Sequence, residues 1–141
     1  MVSIDIIQEY KNIHFPREIV GMFADIVEHD EVMLNVFTYI ARKNQEDGKN
    51  FNGVTVNDIS KNVQIERPVK VIKGKQFHFE NQVTYIHRQA AGKIVDKLLG
   101  MSLLSCKPLT PYKYFFITKR GLQIIQEIIE RQQKLGDEYN G

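Results

Sequence analysis

A one-sided helix that gives way at once to two short strands is the feature that most narrows the folds open to this chain. Val83, Ile86, Ala90, Ile94 and Leu98 recur at helical spacing, with Ala91, Val95 and Leu99 beside them. The pattern predicts a helix near residues 82–100, begun by Glu80 or Asn81, whose other face carries Tyr85, Arg88, Gln89, Lys93 and Lys97. After Gly100 the run Leu103-Leu104-Ser105-Cys106-Lys107 reads as a strand, Pro108-Leu109-Thr110-Pro111 as a turn, and Tyr112 to Ile117 as a returning strand. Such a helix must bury its apolar side, so its neighbours in the chain have to supply a core.

The upstream segments are helical. Ser3 is placed to cap a short helix with Ile4, Ile7 and Tyr10 on one side, which Pro16 interrupts. Ile19, Val20, Phe23, Ile26 and Val27 then mark a helix ending near His29. Asp30 is placed to cap the next one, with Val32, Met33, Val36, Phe37 and Ile40 as its stripe, Arg42 and Lys43 at its negative end, and Asp47-Gly48 as its close. Thr55 followed by Asp58 resembles a capping box for a brief helix through Ile59 and Val63. In the stretch that follows, Val69/Val71 and Phe77/Phe79 alternate with polar residues on either side of Gly74, which suits a basic hairpin or an ordered loop over residues 64–81. Thr118 is placed to cap a final helix, residues 119–136, with Leu122, Ile125, Ile128 and Ile129 on its apolar side, before a frayed Gly-Asp-Glu-Tyr-Asn-Gly end.

At 141 residues with 43% hydrophobic positions, the chain fits one domain over residues 1–141 that buries its own core. Its expected parts are N-terminal helices over 1–29, a central unit over 30–120 and the C-terminal helix. Cys106 is the single cysteine and cannot make an internal disulfide, so a reducing, cytoplasmic setting is expected. The N-terminus lacks a basic flank with an apolar run, and no segment approaches the roughly 18 apolar residues of a membrane span, so neither secretion nor membrane insertion is expected.

The net charge of +2 conceals a strong asymmetry. Between Arg67 and Arg120 there are 11 Lys/Arg against two acids, Glu80 and Asp96, which leaves 8 bases and 15 acids elsewhere. A positive block inside an otherwise acidic chain is the trace of a surface facing a polyanion, because bound lysine and arginine release counterions from phosphates. The competing reading is a merely solubilising face.

Signs of catalysis are missing. Gly48 to Gly53 lead into Val54 and not into the Lys-Ser/Thr of a phosphate loop. Cys106 lies in an apolar-flanked strand and reads as a small strand residue. His14, His29, His78 and His87 are scattered; His78 with Glu80 would share a metal only in a suitably folded hairpin, and no carboxylate pair stands out. The expectation is a protein that is not an enzyme, with no cofactor and no metal.

The order of elements is that of a winged helix-turn-helix, and two segments carry a family likeness. Ala90-Ala91-Gly92-Lys93-Ile94-Val95-Asp96-Lys97-Leu98 followed by Leu103-Leu104-Ser105 is similar to the recognition helix and first wing strand of MarR-like regulators. Phe116-Ile117-Thr118-Lys119-Arg120-Gly121 resembles the L-T-x-x-G turn that ends their wing. The likeness covers about residues 54–130. Two departures accompany it: Ser102 stands where the family usually has the glycine that leaves the helix, and Gln64 to Asn81 intervene where the family has a few residues.

The resemblance implies a fold that is mainly α with a small β-hairpin, an α+β winged helix-turn-helix with extra N-terminal helices. It also implies a sequence-specific transcriptional regulator of double-stranded DNA, a repressor by preference, reading the major groove with the 82–100 helix and the backbone or minor groove with the 103–117 wing. Tyr85, His87, Arg88, Gln89, Gly92, Lys93 and Lys97 would then be the reading-helix contacts; Arg88 suits guanine, Gln89 suits adenine, and Gly92 permits close approach. Lys107 and Lys113 would hold the backbone from the wing. Lys70, Lys73 and Lys75 either contact phosphate too or keep an exposed hairpin from pairing with other chains. The terminal helices of the family build a dimer, making Ile4, Ile7, Phe23, Ile125 and Ile129 candidates for a two-fold contact, and a small-molecule or protein effector is compatible with this design. The alternatives are a winged helix serving replication or plasmid and phage maintenance, and a protein-interaction module that has lost DNA binding.

Overall fold

The computed structural model describes residues 12–140, the last four as backbone, and the Ser3-capped segment with Ile4, Ile7 and Tyr10 lies outside them. The described chain is a mixed α+β fold of five helices and two separate two-stranded antiparallel sheets. Its elements are α1 (Arg17–Glu28), α2 (Glu31–Asp47), a 3-10 turn (Gly48–Asn50), α3 (Val56–Asn62), β1 (Gln64–Lys73), β2 (Gln76–Tyr85), α4 (Arg88–Gly100), β3 (Leu104–Leu109), β4 (Tyr112–Ile117) and α5 (Lys119–Asn140). No described helix is long and apolar enough to cross a membrane.

Local chemistry sets most helix starts. Pro16 precedes α1, and its carbonyl accepts from the amides of Ile19 and Val20. The Asp30 carboxylate accepts from the Met33 amide at 3.0 Å and opens α2. At α3 the capping box is complete: Thr55 Oγ1 accepts from the Asp58 amide at 3.1 Å, and Asp58 Oδ2 accepts from the Thr55 amide at 3.0 Å. Each helix then turns an apolar face inward. Val27, Val36, Phe37, Ile40, Ile59, Leu98, Leu104 and Ile124 are sealed from solvent in one core to which every helix contributes.

Two features depart from the sequence expectation. The helix expected over 82–100 begins at Arg88, because Gln82 to Tyr85 are strand residues paired with Arg67 to Gln64. Val83, expected on the buried helix stripe, is 65% exposed on that strand. The β-branched and aromatic run Val83-Thr84-Tyr85 continues the cross-strand pairing until the buried Ile86 ends it, and its amide donates to the Val63 carbonyl at 2.9 Å. The second departure is at the C-terminus, where α5 continues through the segment expected to fray, as far as Asn140.

The intervening stretch is thus a long hairpin arm, closed by Gly74-Lys75 with Gly74 at φ +64, the backbone a two-residue hairpin turn requires of its first position. The arm leaves the core where Val63 and Ile86 are buried side by side, and beyond them its residues are exposed or half-buried.

The junction between α4, β3–β4 and α5 is tightly specified. Ser102, the residue in the place of the expected glycine, itself adopts φ +63, while Gly100 is the last helical residue. The amides of Ser102 and Leu103 donate to the carbonyls of Leu99 and Leu98 at 3.0 Å each, which is the Schellman closure of a helix. Across the junction Thr118 Oγ1 donates to the Ser102 carbonyl at 2.8 Å and accepts from the Gly121 amide at 2.9 Å. A Cβ on Gly121 would stand 2.3 Å from the Leu103 carbonyl oxygen, so only glycine fits.

Chain segments before α4 reinforce this side. Val54 exchanges both backbone hydrogen bonds with Phe115 of β4. Arg120 donates to the Ile13 carbonyl at 2.6 Å and lies over the Phe15 ring. Phe15 also packs 5.1 Å from Phe23, so that candidate interface residue is already engaged within the chain. On α5, Arg131 reaches Asp25, Glu28 and Glu127 and ties α1 to it.

The junction predicts opposite effects for two glycine-related changes. Gly121→Ala should destabilise by about 1–3 kcal/mol, because either β3 or α5 must shift. Ser102→Gly should stabilise by up to about 1 kcal/mol by relieving the left-handed strain. Urea denaturation midpoints check both, and stabilisation by Gly121→Ala would contradict the packing described.

Candidate nucleic-acid interface

Helix α4 is held by Ala91, Ile94, Val95 and Leu98, all buried, which fall at the spacing of one helix face. Burial of the larger three contributes about 1.5–3 kcal/mol each, enough to hold a 13-residue helix that would be marginal alone. The opposite side is then free to be polar. Gln89, Lys93 and Lys97 follow one another at intervals of four along it, all exposed, with Asp96 the one acid among them. Arg88 is exposed at the first helical position, where the positive end of the helix dipole adds to its charge.

The remaining expected contacts divide. His87 is the N-cap, its Nδ1 accepting from the Gln89 amide at 3.3 Å, so it positions the helix start. Tyr85 is not on the helix; it is an exposed residue at the base of the arm, because β2 extends to it. His87, Arg88 and Gln89 line a shallow groove of about 430 Å³ together with Val56 from the first turn of α3. The beginnings of α3 and α4 therefore open on the same depression.

Gly92, like Gly100 and Gly136, is a helical glycine with open space around it. A Cβ built there meets nothing within 4 Å, so neither packing nor a positive φ demands glycine. In a helix interior glycine costs about 1 kcal/mol relative to alanine. The fold bears that cost on the outward side of α4, beside Gln89 and Lys93.

In the β3–β4 hairpin Lys107 and Lys113 are both exposed near the tip. The register pairs Lys107 with Tyr114 and Pro108 with Lys113, which puts the two lysines on opposite faces of the ribbon. They flank the hairpin and do not form one patch. Lys70, Lys73 and Lys75 are exposed on the arm.

Of the 11 bases between Arg67 and Arg120, ten are exposed, and Arg120 is the half-buried exception engaged at the α5 junction. None of the ten takes part in an ion pair among the described residues, whose ion pairs involve Arg42, Lys43, His78 and Arg131. Among the described residues the exposed positive charge of this half is thus left without an ion-pair partner.

The other sequence candidates have structural roles. Cys106 is buried on β3; burial pushes its thiol up from the ordinary range against the opposing pull of Lys113, which keeps it protonated at neutral pH. His78 Nε2 is 2.7 Å from Glu80 Oε1, and no third metal-ligating side chain joins them among the described residues. The sequence reading weighed the loop before α3 only as a phosphate loop, whereas in the structure its Phe51 meets Phe116 of β4 edge to face.

Two outcomes are expected from these positions. Gly92→Ala should raise stability by about 1 kcal/mol, read from the denaturation midpoint. Cys106 should react with a thiol reagent only as fast as the protein unfolds, whereas fast labelling of the native state would contradict its burial.

Comparison with known protein families, with curated proteins and with solved structures returns no match for this chain.

Proposed function

We propose that the protein is a sequence-specific regulator of double-stranded DNA, built as a winged helix-turn-helix and acting as a repressor in the cytoplasm. The observation that carries this reading is the two-sidedness of α4. Its apolar side is locked in the core, while Arg88, Gln89, Lys93 and Lys97 are presented outward without ion-pair partners among the described residues. In this reading α3 and α4 are the two helices of the motif, and α4 enters the major groove with its N-terminal half nearest the bases. Arg88 offers two parallel donors to guanine and Gln89 a donor and acceptor to adenine. The bare Gly92 lets the sugar-phosphate backbone or a base edge come close. The β3–β4 hairpin is the wing, whose Lys107 and Lys113 hold phosphates on either side of the ribbon.

A palindromic site would suit a two-fold dimer. Leu122 and Ile129, 45% and 48% exposed, border a groove of about 550 Å³ between α2 and α5 that Leu34 and Ile125 also line. We assign the dimer contact to this face of α5; of the other candidates, Phe23 packs against Phe15 within the chain, and Ile4 and Ile7 lie outside the described residues.

Fluorescence anisotropy against mixed-sequence and selected duplexes at several salt concentrations tests the function. Affinity should fall steeply with salt. Arg88→Ala should lose about 1–3 kcal/mol of discrimination between sequences, and Lys113→Ala should weaken all duplexes alike and reduce the salt slope by about one. Gly92→Ala should weaken binding while stabilising the protein. Salt-independent binding, or none, would favour a module that contacts protein. For the dimer, Ile129→Asp should turn a dimer into a folded monomer in sedimentation, and a wild-type monomer would contradict that assignment.

A further inference from the structure

The arm carries a surface that the α4 interface does not use. Directly opposed residues of an antiparallel pair share a face, so Lys70 and Ile72 of β1 stand with Phe77, Phe79, Val83 and Tyr85 of β2. Every residue on this side of the arm is exposed, including Ile72 at 70% and Phe79 at 66%. The other side holds the half-buried Ile65, Val69 and Val71. A two-stranded ribbon is marginal in water and gains little from rings aimed at solvent. Such a surface marks a binding site more readily than a packing need.

The charge of the arm says what it fits. From Gln64 to Tyr85 the arm holds four bases, Arg67, Lys70, Lys73 and Lys75, against Glu66 and Glu80; the register puts Lys70 and Glu66 on the ring-bearing face and Arg67 and Lys73 on the other, with Lys75 in the turn. Lys70 Nζ sits 4.3 Å from the centre of the Phe77 ring, and the Phe77 and Phe79 rings are 6.0 Å apart. Aromatic faces interleaved with ammonium groups bind unpaired nucleotides, because bases stack on the rings while the cations follow the phosphates. Intact duplex keeps its base faces stacked away from such rings.

We propose that this face of the arm binds single-stranded DNA, with bases stacked on Phe77 and Phe79 and phosphates drawn to Lys70 beside the rings and to Lys75 at the turn. Taking the strand to be DNA rests on the duplex reading above. The arm ends at Tyr85, three residues before α4 begins at Arg88. Ten residues per strand give it a reach of about 30 Å. Phe77 and Phe79 lie toward the tip, so a strand running from them along the arm to its base would meet the duplex gripped by α4, and the preferred target is a duplex bordered by an unpaired stretch.

The test is anisotropy of the full chain with a labelled oligothymidylate of about 15 nucleotides, with a blunt duplex, and with the same duplex carrying a single-stranded tail. The wild type should bind the oligothymidylate, and bind the tailed duplex more tightly than the blunt one. Phe77→Ala and Phe79→Ala should each weaken oligothymidylate binding by roughly 5- to 150-fold, and leave blunt-duplex binding within about two-fold. Phe79→Trp, which keeps a stacking face, should retain it. No oligothymidylate binding, or binding indifferent to both alanine changes, would overturn the proposal. So would a wild-type dimer that Phe79→Ser converts to monomer, which would give the face to a second copy, or tighter competition by oligouridylate, which would give it to RNA. Absent blunt-duplex binding with retained oligothymidylate binding would defeat the duplex reading and leave the arm's role standing.

Discussion

The outward half of the molecule depends on the left-handed turn at Ser102. There α4 ends, its last carbonyls are satisfied by the Ser102 and Leu103 amides, and the chain enters β3 with Leu103 and Leu104 fully buried. The Ser102 carbonyl takes the Thr118 hydroxyl and the Leu103 carbonyl takes the Thr118 amide, so β4 returns to the very residues at which β3 began. Gly121 then allows α5 to start against the same carbonyl. One helix end, one hairpin and one helix start share a single set of hydrogen bonds, and the orientation of α4 relative to β3–β4 follows from it. A rigid pairing of helix and hairpin is what a two-element grip on a duplex requires.

The core allows this half to carry uncompensated charge. Ten exposed bases with few acids nearby repel one another and lower stability. Burial of Ile94, Val95 and Leu98 on the opposite side of α4, and of Phe37, Ile40 and Ile59 in the same core, offsets that repulsion. Gly92 and the bare aromatic side of the arm have the same character: neither improves the isolated fold, and both become intelligible once a ligand completes the surface. On the proposed function, stability is given up where contact would be made.

Elements with a local chemical signal were legible in the sequence. Asp30, Thr55 with Asp58, and Thr118 each bond an amide three residues on, at the positions the residue types suggested. The change of period after Gly100 located β3 and β4, and Gly74 located the turn of the arm. The true start of α4 was not legible, because Val83 and Ile86 fit a helical stripe and the edge of a hairpin equally well. Only the distant partners Gln64 to Arg67 decide for the strand, and pairing over such a separation leaves no mark in a local window. Tyr85 was misplaced for the same reason. Of the candidate site, Arg88, Gln89, Lys93 and Lys97 do share α4, whereas the opposite placement of Lys107 and Lys113 follows from register alone. The unclothed face of the arm was out of reach as well, since which side of a ribbon is covered depends on what packs against it.

The central claim is that the polar side of α4, and not some other charged surface, meets duplex DNA. Backbone amide NMR of the protein titrated with a bound duplex tests it directly. The account predicts that the largest shifts fall on His87 to Lys97 and on Lys107 to Lys113, with α1 and the middle of α5 unmoved. Shifts concentrated on α1 and α5, with those of α4 unchanged, would contradict it.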